Sequence, residues 1–275
     1  MSQLDSKGLN EQQFLEQYNP GEYPRPSVTV DMVMLTVADI HEDNYRKLSE
    51  KELQILLIQR GGHPYIGQWA LPGGFVKPDE TVGEAATREL EEETGVQGGH
   101  LEQLYTFSTP GRDPRTWVIS CAHMALLDST QINVKAGSDA DDARWFTVRM
   151  ESTTEHISLS LTNEDTDLSA VLKVKPKSTE LKIIENTGLA FDHAEMIACA
   201  INRLRAKLEY TDLVFNLLPE KFTLTELQHV YEAILGRPLY KAAFRRKIKS
   251  LVVETGEYTK KAGHRPSQIF ARGEK

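Results

Sequence analysis

The sequence predicts a mixed α/β domain followed by a smaller helical domain that ends in a hairpin. Three observations predict it. Strand-like apolar runs at Val28–Val37 and Leu53–Arg60, and a carboxylate-rich helix between Thr81 and Gly95, fill the first half. From Phe191 the pattern changes to helices whose apolar residues return every three or four positions. Charge divides the same way: residues 1–190 carry 17 basic and 30 acidic side chains, residues 191–275 carry 15 and 10. A basic end on an acidic body suggests a localised polyanion surface, with a solvated lysine-rich tail as the alternative.

The 275 residues suit one or two domains, each able to bury a core, and the net charge is −8. No apolar run approaches the ~18 residues of a membrane span, and the polar start MSQLDSKGLNEQQFLEQ lacks an apolar signal core. Cys121 and Cys199 have no paired metal-ligand spacing. They fit a reducing compartment, so a cytoplasmic protein without membrane partners is expected.

Residues 1–26 form a polar N-terminal arm ending in the stiff YPRP. Residues 27–150 hold the α/β domain. VTVDMVMLTV and LQILLIQR read as its first strands, joined through the charged loop HEDNYRKLSEKE. QWALPGG leads into the glutamate-rich helix, and LEQLYTFST, TWVISCAHMALL and ARWFTV read as further strands. Residues 151–190 read either as the remainder of this domain or as a linker. Residues 191–275 form the second domain, opened by the helical stretch FDHAEMIACAINRLRAKLEY.

Thr81 can cap the glutamate helix, Val82, Ala85, Ala86 and Leu90 give it an apolar stripe, and Gly95 can end it in a left-handed conformation. Glu89, Glu92 and Glu93, at i, i+3 and i+4, share one face. Such carboxylates repel one another unless a cation sits among them, and oxygen-only ligands suit Mg2+ or Mn2+. A solvated acidic helix is the alternative, but the helix contains no lysine to pair with.

The stretch from Gly74 to Val96 resembles the Nudix box, G-x5-E-x7-R-E-U-x-E-E-x-G-U. Gly74, Glu80, Arg88, Glu89, Leu90, Glu92, Glu93, Gly95 and Val96 fill every fixed place. The resemblance implies a Nudix α/β/α sandwich with a mixed sheet. It implies metal ligation by Glu89, Glu92 and Glu93, support from Glu80 and Arg88, and metal-assisted hydrolysis of a nucleoside diphosphate derivative if the domain is active.

LPGGFVKPDE with STPGRDPRTWVIS is similar to the ADP-ribose-handling branch. Arg112 and Arg115, on the loop with Asp113, are candidates to clamp a diphosphate, since guanidinium forks match phosphate oxygens. An ordinary polar turn is the alternative. Gly74, Phe75 and Arg60 complete the candidate ligand residues. Active relatives take a further catalytic glutamate from outside the box, whereas KAGSDADDARWF offers Asp139, Asp141 and Asp142 but no glutamate.

In FTLTELQHVYEAILGRPLYKAAFRRKIKSLVV, Thr223 and Glu226 form a capping box, and Leu224, Leu227, Val230, Tyr231 and Ile234 an apolar face. Gly236 to Pro238 break the helix. A second begins near Tyr240, with Phe244, Ile248 and Leu251 inward. Two helices around a glycine turn, the second basic, read as helix-turn-helix, and GEYTKKAGHRPSQIFAR reads as a hairpin wing. Lys241, Arg245, Arg246 and Lys249 are candidate DNA contacts on the helix, and Lys260, Lys261, His264 and Arg265 on the wing. A three-helix interaction module with a solvated face is the alternative.

A Nudix domain followed by a winged helix-turn-helix domain resembles the NrtR family, the Nudix-related transcriptional regulators of NAD metabolism in bacteria. YPRPSVTVD, LPGGFV, PGRDPR, LAFDHAEMI and RRKI carry the likeness. It implies a homodimeric repressor on a near-palindromic operator, with ADP-ribose as effector. In much of that family the box is degenerate and hydrolysis is lost, whereas here the box is intact. A sensor with weak or no hydrolysis is the expected reading. The alternatives are an ADP-ribose pyrophosphatase that yields AMP and ribose 5-phosphate, or a module whose acidic helix binds a protein.

Overall fold

The computed structural model describes residues 3–40, 50–132, 140–175, 180–259 and 266–273. The loop of residues 41–49 lies outside them. After the short helix α1 (Glu11–Gln17), capped by Asn10, the chain runs through β1 (Ser27–Asp39) and returns antiparallel in β2 (Lys51–Arg60). Two short strands, β3 (Trp69–Ala70) and β4 (Gly73–Phe75), pair with β2 and β1. Helix α2 (Val82–Thr94), β5 (His100–Phe107), β6 (Val118–Leu126) and β7 (Ala140–Ser152) follow.

Residues 151–190, which the sequence left between domain and linker, mostly belong to the sheet. They finish β7 and supply β8 (His156–Asn163), β9 (Thr166–Val174) and β10 (Leu181–Thr187), each antiparallel to the strand before it. The sheet order is β10-β9-β8-β7-β2-β1-β6-β5. β1 and β6 run parallel while β1 and β2 are antiparallel, so the sheet is mixed, as expected.

Successive strand side chains point to opposite faces, and β1 is apolar on both. Val30, Met32 and Met34 pack with Ala85, Ala86 and Leu90 of α2. Val33, Leu35 and Val37 join a second cluster with helix α3 (His193–Lys207), through Ala194, Ile197, Ile201 and Leu204. A strand covered on both faces has no need of polar alternation. The α/β/α sandwich is therefore completed by α3, the helix that the sequence placed at the head of the second domain.

The same cluster continues beyond α3. Strand β11 (Lys221–Thr223), helix α4 (Leu224–Leu235), helix α5 (Lys241–Ile248), β12 (Val252–Tyr258) and β13 (Gln268–Arg272) form the C-terminal unit, with sheet order β11-β13-β12. Leu227, Val230, Tyr231 and Ile234 of α4, with Phe244 and Ile248 of α5, share one apolar core with α3 and the large sheet. Burying each such aliphatic side chain contributes about 1.5–3 kcal/mol. Arg205 adds a polar joint: its Nε donates to the Ile234 carbonyl of α4 (2.8 Å) and its Nη2 to the Met150 carbonyl of β7 (3.0 Å).

Candidate functional site

Helix α2 begins and ends where its sequence predicts. Thr81 accepts from the Glu84 amide while Glu84 accepts from the Thr81 amide, and Gly95 closes the helix at φ 69°. Its carboxylates do not form the uniform trio that their spacing suggests. Glu89 and Glu93, one turn apart, are 6% and 7% exposed, while the Glu92 side chain is 56% exposed. Arg88 organises the outer part. Its Nε and Nη2 grip both oxygens of Glu80 at 3.1 and 2.9 Å, and its Nη1 reaches Glu89 (2.7 Å) and Glu92 (3.3 Å). The Arg88 hydrogen bonds, and one from the Lys77 amide, pull the Glu80 carboxyl down to about 2.

Glu93 is the inner group. Burial, reinforced by the charges of Glu89 and Glu92, pushes its carboxyl up to about 7, and its Oε2 has no hydrogen-bond partner. A buried carboxylate oxygen without a donor, beside a second buried carboxylate, fits a hard divalent cation. Among the described residues, no three His, Cys, Asp or Glu side chains are gathered as a metal site. Glu89 and Glu93 form the buried inner pair, and the exposed Glu92 shares the Arg88 guanidinium with Glu89.

Gly74 joins this helix to a cavity. A Cβ at Gly74 would stand 2.4 Å from Glu89 Oε1, so glycine lets β4 approach the carboxylate without displacing it. The cavity, of about 660 Å3, is lined by all six candidate ligand residues: Arg60, Gly74, Phe75, Arg112, Asp113 and Arg115. They come from β2, β4 and the loop after β5, which the sheet order brings to one end of the domain.

The two loop arginines both line the cavity but sit in different surroundings. Arg115 is half-exposed. It grips Asp113 through Nε (3.1 Å) and Nη2 (2.7 Å), and lies 5.7 Å from the Phe75 ring centroid and 6.0 Å from that of Phe191. Burial opposes charge on Asp113, but the Arg115 hydrogen bonds outweigh it and hold the carboxyl below its ordinary value. Arg112 is turned inward, its side chain only 5% exposed, and is bidentate to Asp192 at 2.8 and 2.7 Å. A partly buried carboxylate 80 residues away thus outcompetes solvent for the fork.

Asp31, His193 and Phe191, which line the cavity, escaped the sequence reading. Asp31 accepts from the Ser120 hydroxyl and lies 3.5 Å from both Arg112 Nη2 and His193 Nε2. His193 is buried. Its Nδ1 accepts from the Leu71 amide at 2.8 Å, which leaves the proton on Nε2 facing Asp31. Burial pushes its pKa down, so the ring is neutral near pH 7. Phe191 adopts φ 51°, costly for a bulky residue, and packs on Tyr65, itself at φ 62°. Arg60 lies 5.0 Å from the Phe191 ring centroid. The string LAFDHAEMI contained two of them, Phe191 and His193, but an apolar helical stripe masked their inward role.

On the proposed catalytic loop, residues 133–139, including Asp139, lie outside the described residues. Asp142 lies in β7, where the Ala143 amide and Arg144 already engage both its oxygens.

The second site is a basic helix face. Thr223 and Glu226 cap α4 reciprocally, and Gly236 ends it at φ 68°. α5 presses Phe244 and Ile248 into the core, with the Phe244 ring 5.2 Å from that of Tyr231. Lys241, Arg245 and Lys249, spaced i, i+4 and i+8, make an exposed stripe with Arg246 beside it. None of the four pairs with a carboxylate among the described residues. Lys247 differs: it reaches back to the Leu208 carbonyl and the Tyr231 ring. Tyr240, 90% exposed just ahead of α5, was not anticipated as a contact. β12 and β13 form the wing's antiparallel arms. Its tip, with Lys260, Lys261, His264 and Arg265, lies outside the described residues.

Comparison with known proteins follows the same division. The family model of the NrtR DNA-binding winged helix domain matches residues 214–271, and that of the Nudix domain residues 47–158. The ADPR responsive transcriptional repressor NtrR of Acinetobacter baylyi is 38% identical over 264 residues, 95% of this chain and 88% of that protein. A MutT/nudix family protein from Enterococcus faecalis superposes with a TM-score of 0.72 at 34% identity, over 95% of this chain and 92% of its own. Shewanella oneidensis NrtR complexed with a 27mer DNA gives 0.63 at 29% identity, over 90% and 93%.

Proposed function

The chain belongs to the NrtR family of Nudix-related transcriptional regulators, and on that premise we propose that it is an ADP-ribose-responsive repressor of NAD metabolism genes. The observation that carries this reading is the position of the cavity. It is built on Phe191 and His193, where α3 begins, and α3 shares its core with the helices of the DNA-binding unit. The relative from Acinetobacter baylyi supports the effector and the sign, and the DNA-bound Shewanella oneidensis protein supports the use of the winged helix.

In this reading Phe75 and Phe191 offer ring faces to the adenine, and Arg60, Arg112 and Arg115 offer positive charge to the diphosphate. Mg2+ or Mn2+, held by Glu89 and Glu93, would offset the diphosphate charge and, in an active enzyme, activate a water. Glu80 fixes Arg88, and Arg88 holds Glu89 and Glu92 in place. Arg245, Arg246, Lys241 and Lys249 face the operator, with the wing tip alongside. The working form is a cytoplasmic homodimer on a near-palindromic site.

Selection of bound sequences from random duplex DNA tests the regulator reading. Two inverted half-sites about 34–36 Å apart, or a multiple of that spacing, are expected. Failure to enrich any motif rejects it.

The intact Nudix box favours a second reading, an ADP-ribose pyrophosphatase. We read hydrolysis as weak or absent, because Asp142, in β7 before Trp145, already has both oxygens engaged by the Ala143 amide and Arg144. Rapid Mg2+-dependent release of AMP from ADP-ribose, abolished by Glu93→Gln, would overturn that view.

A further inference from the structure

We propose that the Arg112–Asp192 ion pair is the latch through which the cavity acts on the DNA-binding unit. The inference rests on the effector reading above. Asp192 immediately precedes α3, at the position where an aspartate ordinarily caps a helix and gains about 1 kcal/mol. Here it makes no side-chain cap to the helix. Both its oxygens are held by Arg112, from the loop after β5, at 2.7 and 2.8 Å. The start of α3 is thus tied to a cavity wall instead of to its own first turn.

Arg112 is the shared element. It lines the cavity, and a diphosphate arriving there carries the same charge as Asp192 and competes for the same guanidinium. Drawing Arg112 toward the ligand frees the Asp192 carboxylate, which then faces the first turn and positive pole of α3. Phe191, in its strained left-handed conformation next to Asp192, gives the joint a second reason to rearrange.

The far end of α3 is fastened as firmly. Arg205 joins it to the end of α4 and to β7, Arg203 donates to the Leu104 carbonyl, and Lys207 pairs with Glu102. Fifteen helical residues span about 22 Å. A re-seated first turn is therefore transmitted to α4, and through the Tyr231–Phe244 contact to α5. The latched state is the operator-binding state; the unlatched state binds ADP-ribose more tightly. Only such differential affinity can shift the balance.

Asp192→Asn tests this, because asparagine also caps helices but cannot hold the ion pair. Operator affinity and ADP-ribose affinity are measured in EDTA on the full chain. The variant is expected to bind operator more weakly than wild type without ligand, close to the wild-type value with ADP-ribose, and to respond little further. Linkage then requires that it bind ADP-ribose more tightly, by at most the wild-type coupling factor, typically ~5–150-fold. A residue that merely supports the fold would weaken both affinities when replaced. Weaker ADP-ribose binding, or wild-type affinities and response, overturns the latch. If the variant does not melt cooperatively, Asp192→Ser takes its place, and failure of both to fold assigns the pair to stability and also overturns it. Wild-type protein that ignores ADP-ribose while binding operator would instead sink the effector reading on which the latch depends.

Discussion

Replacing Arg245 and Arg246 together with alanine is expected to weaken operator binding on the order of 100-fold at moderate salt, each residue contributing roughly 1–3 kcal/mol. Both side chains are exposed on α5 and neither has a carboxylate partner among the described residues. Their loss therefore leaves the core alone, and the thermal midpoint should move little. Salt separates two roles. If both touch phosphates, the slope of log affinity against log salt falls by about 2 in magnitude; a residue that reads a base relaxes sequence preference instead. Unchanged binding by the double variant would remove α5 from the DNA surface.

Phe244→Ala is expected to have the largest effect on stability, about 3–5 kcal/mol for truncating a buried aromatic ring. Phe244 is 4% exposed and packs edge-on against Tyr231, so it seats the basic helix on α4. The cavity lies at the opposite end of α3 and includes no residue of α4 or α5. Operator binding should therefore fall far more than ADP-ribose binding, compared by fluorescence anisotropy and calorimetry below the unfolding transition. Equal losses would mean that the two units cannot be disturbed separately.

These predictions lean on parts of the chain that differed in how openly the sequence declared them. Local signals were legible. Thr81 with Gly95, and Thr223 with Gly236, bracket α2 and α4 because caps and left-handed glycines act within a few residues. The inward positions of α5 followed from its helical period. Strands β8 to β10 carried a usable alternation, Ile157, Leu159 and Leu161 against Ser158, Ser160 and Thr162, but the surrounding threonines and acidic turns hid it.

The site was legible in composition and less so in arrangement. All six candidate ligand residues reach one cavity, yet the pairing of Arg112 with Asp192 is set by tertiary contact across 80 residues, which no local pattern encodes. The same holds for His193, whose helical stripe reads as core although its Nδ1 serves the Leu71 amide. The split among the glutamates depends on which side of α2 meets the sheet. Periodicity alone grouped Glu92 with Glu89 and Glu93, and burial of the latter two against an exposed Glu92 separates them.

The central claim is that one ligand site controls the DNA-binding unit. It is tested most directly by titrating ADP-ribose into the complex of wild-type protein with its selected operator, in EDTA so that hydrolysis cannot contribute. The account predicts release of DNA, with operator affinity falling by a factor within the ~5–150-fold range of ordinary allosteric coupling. An operator affinity that stays constant at saturating ADP-ribose would contradict it.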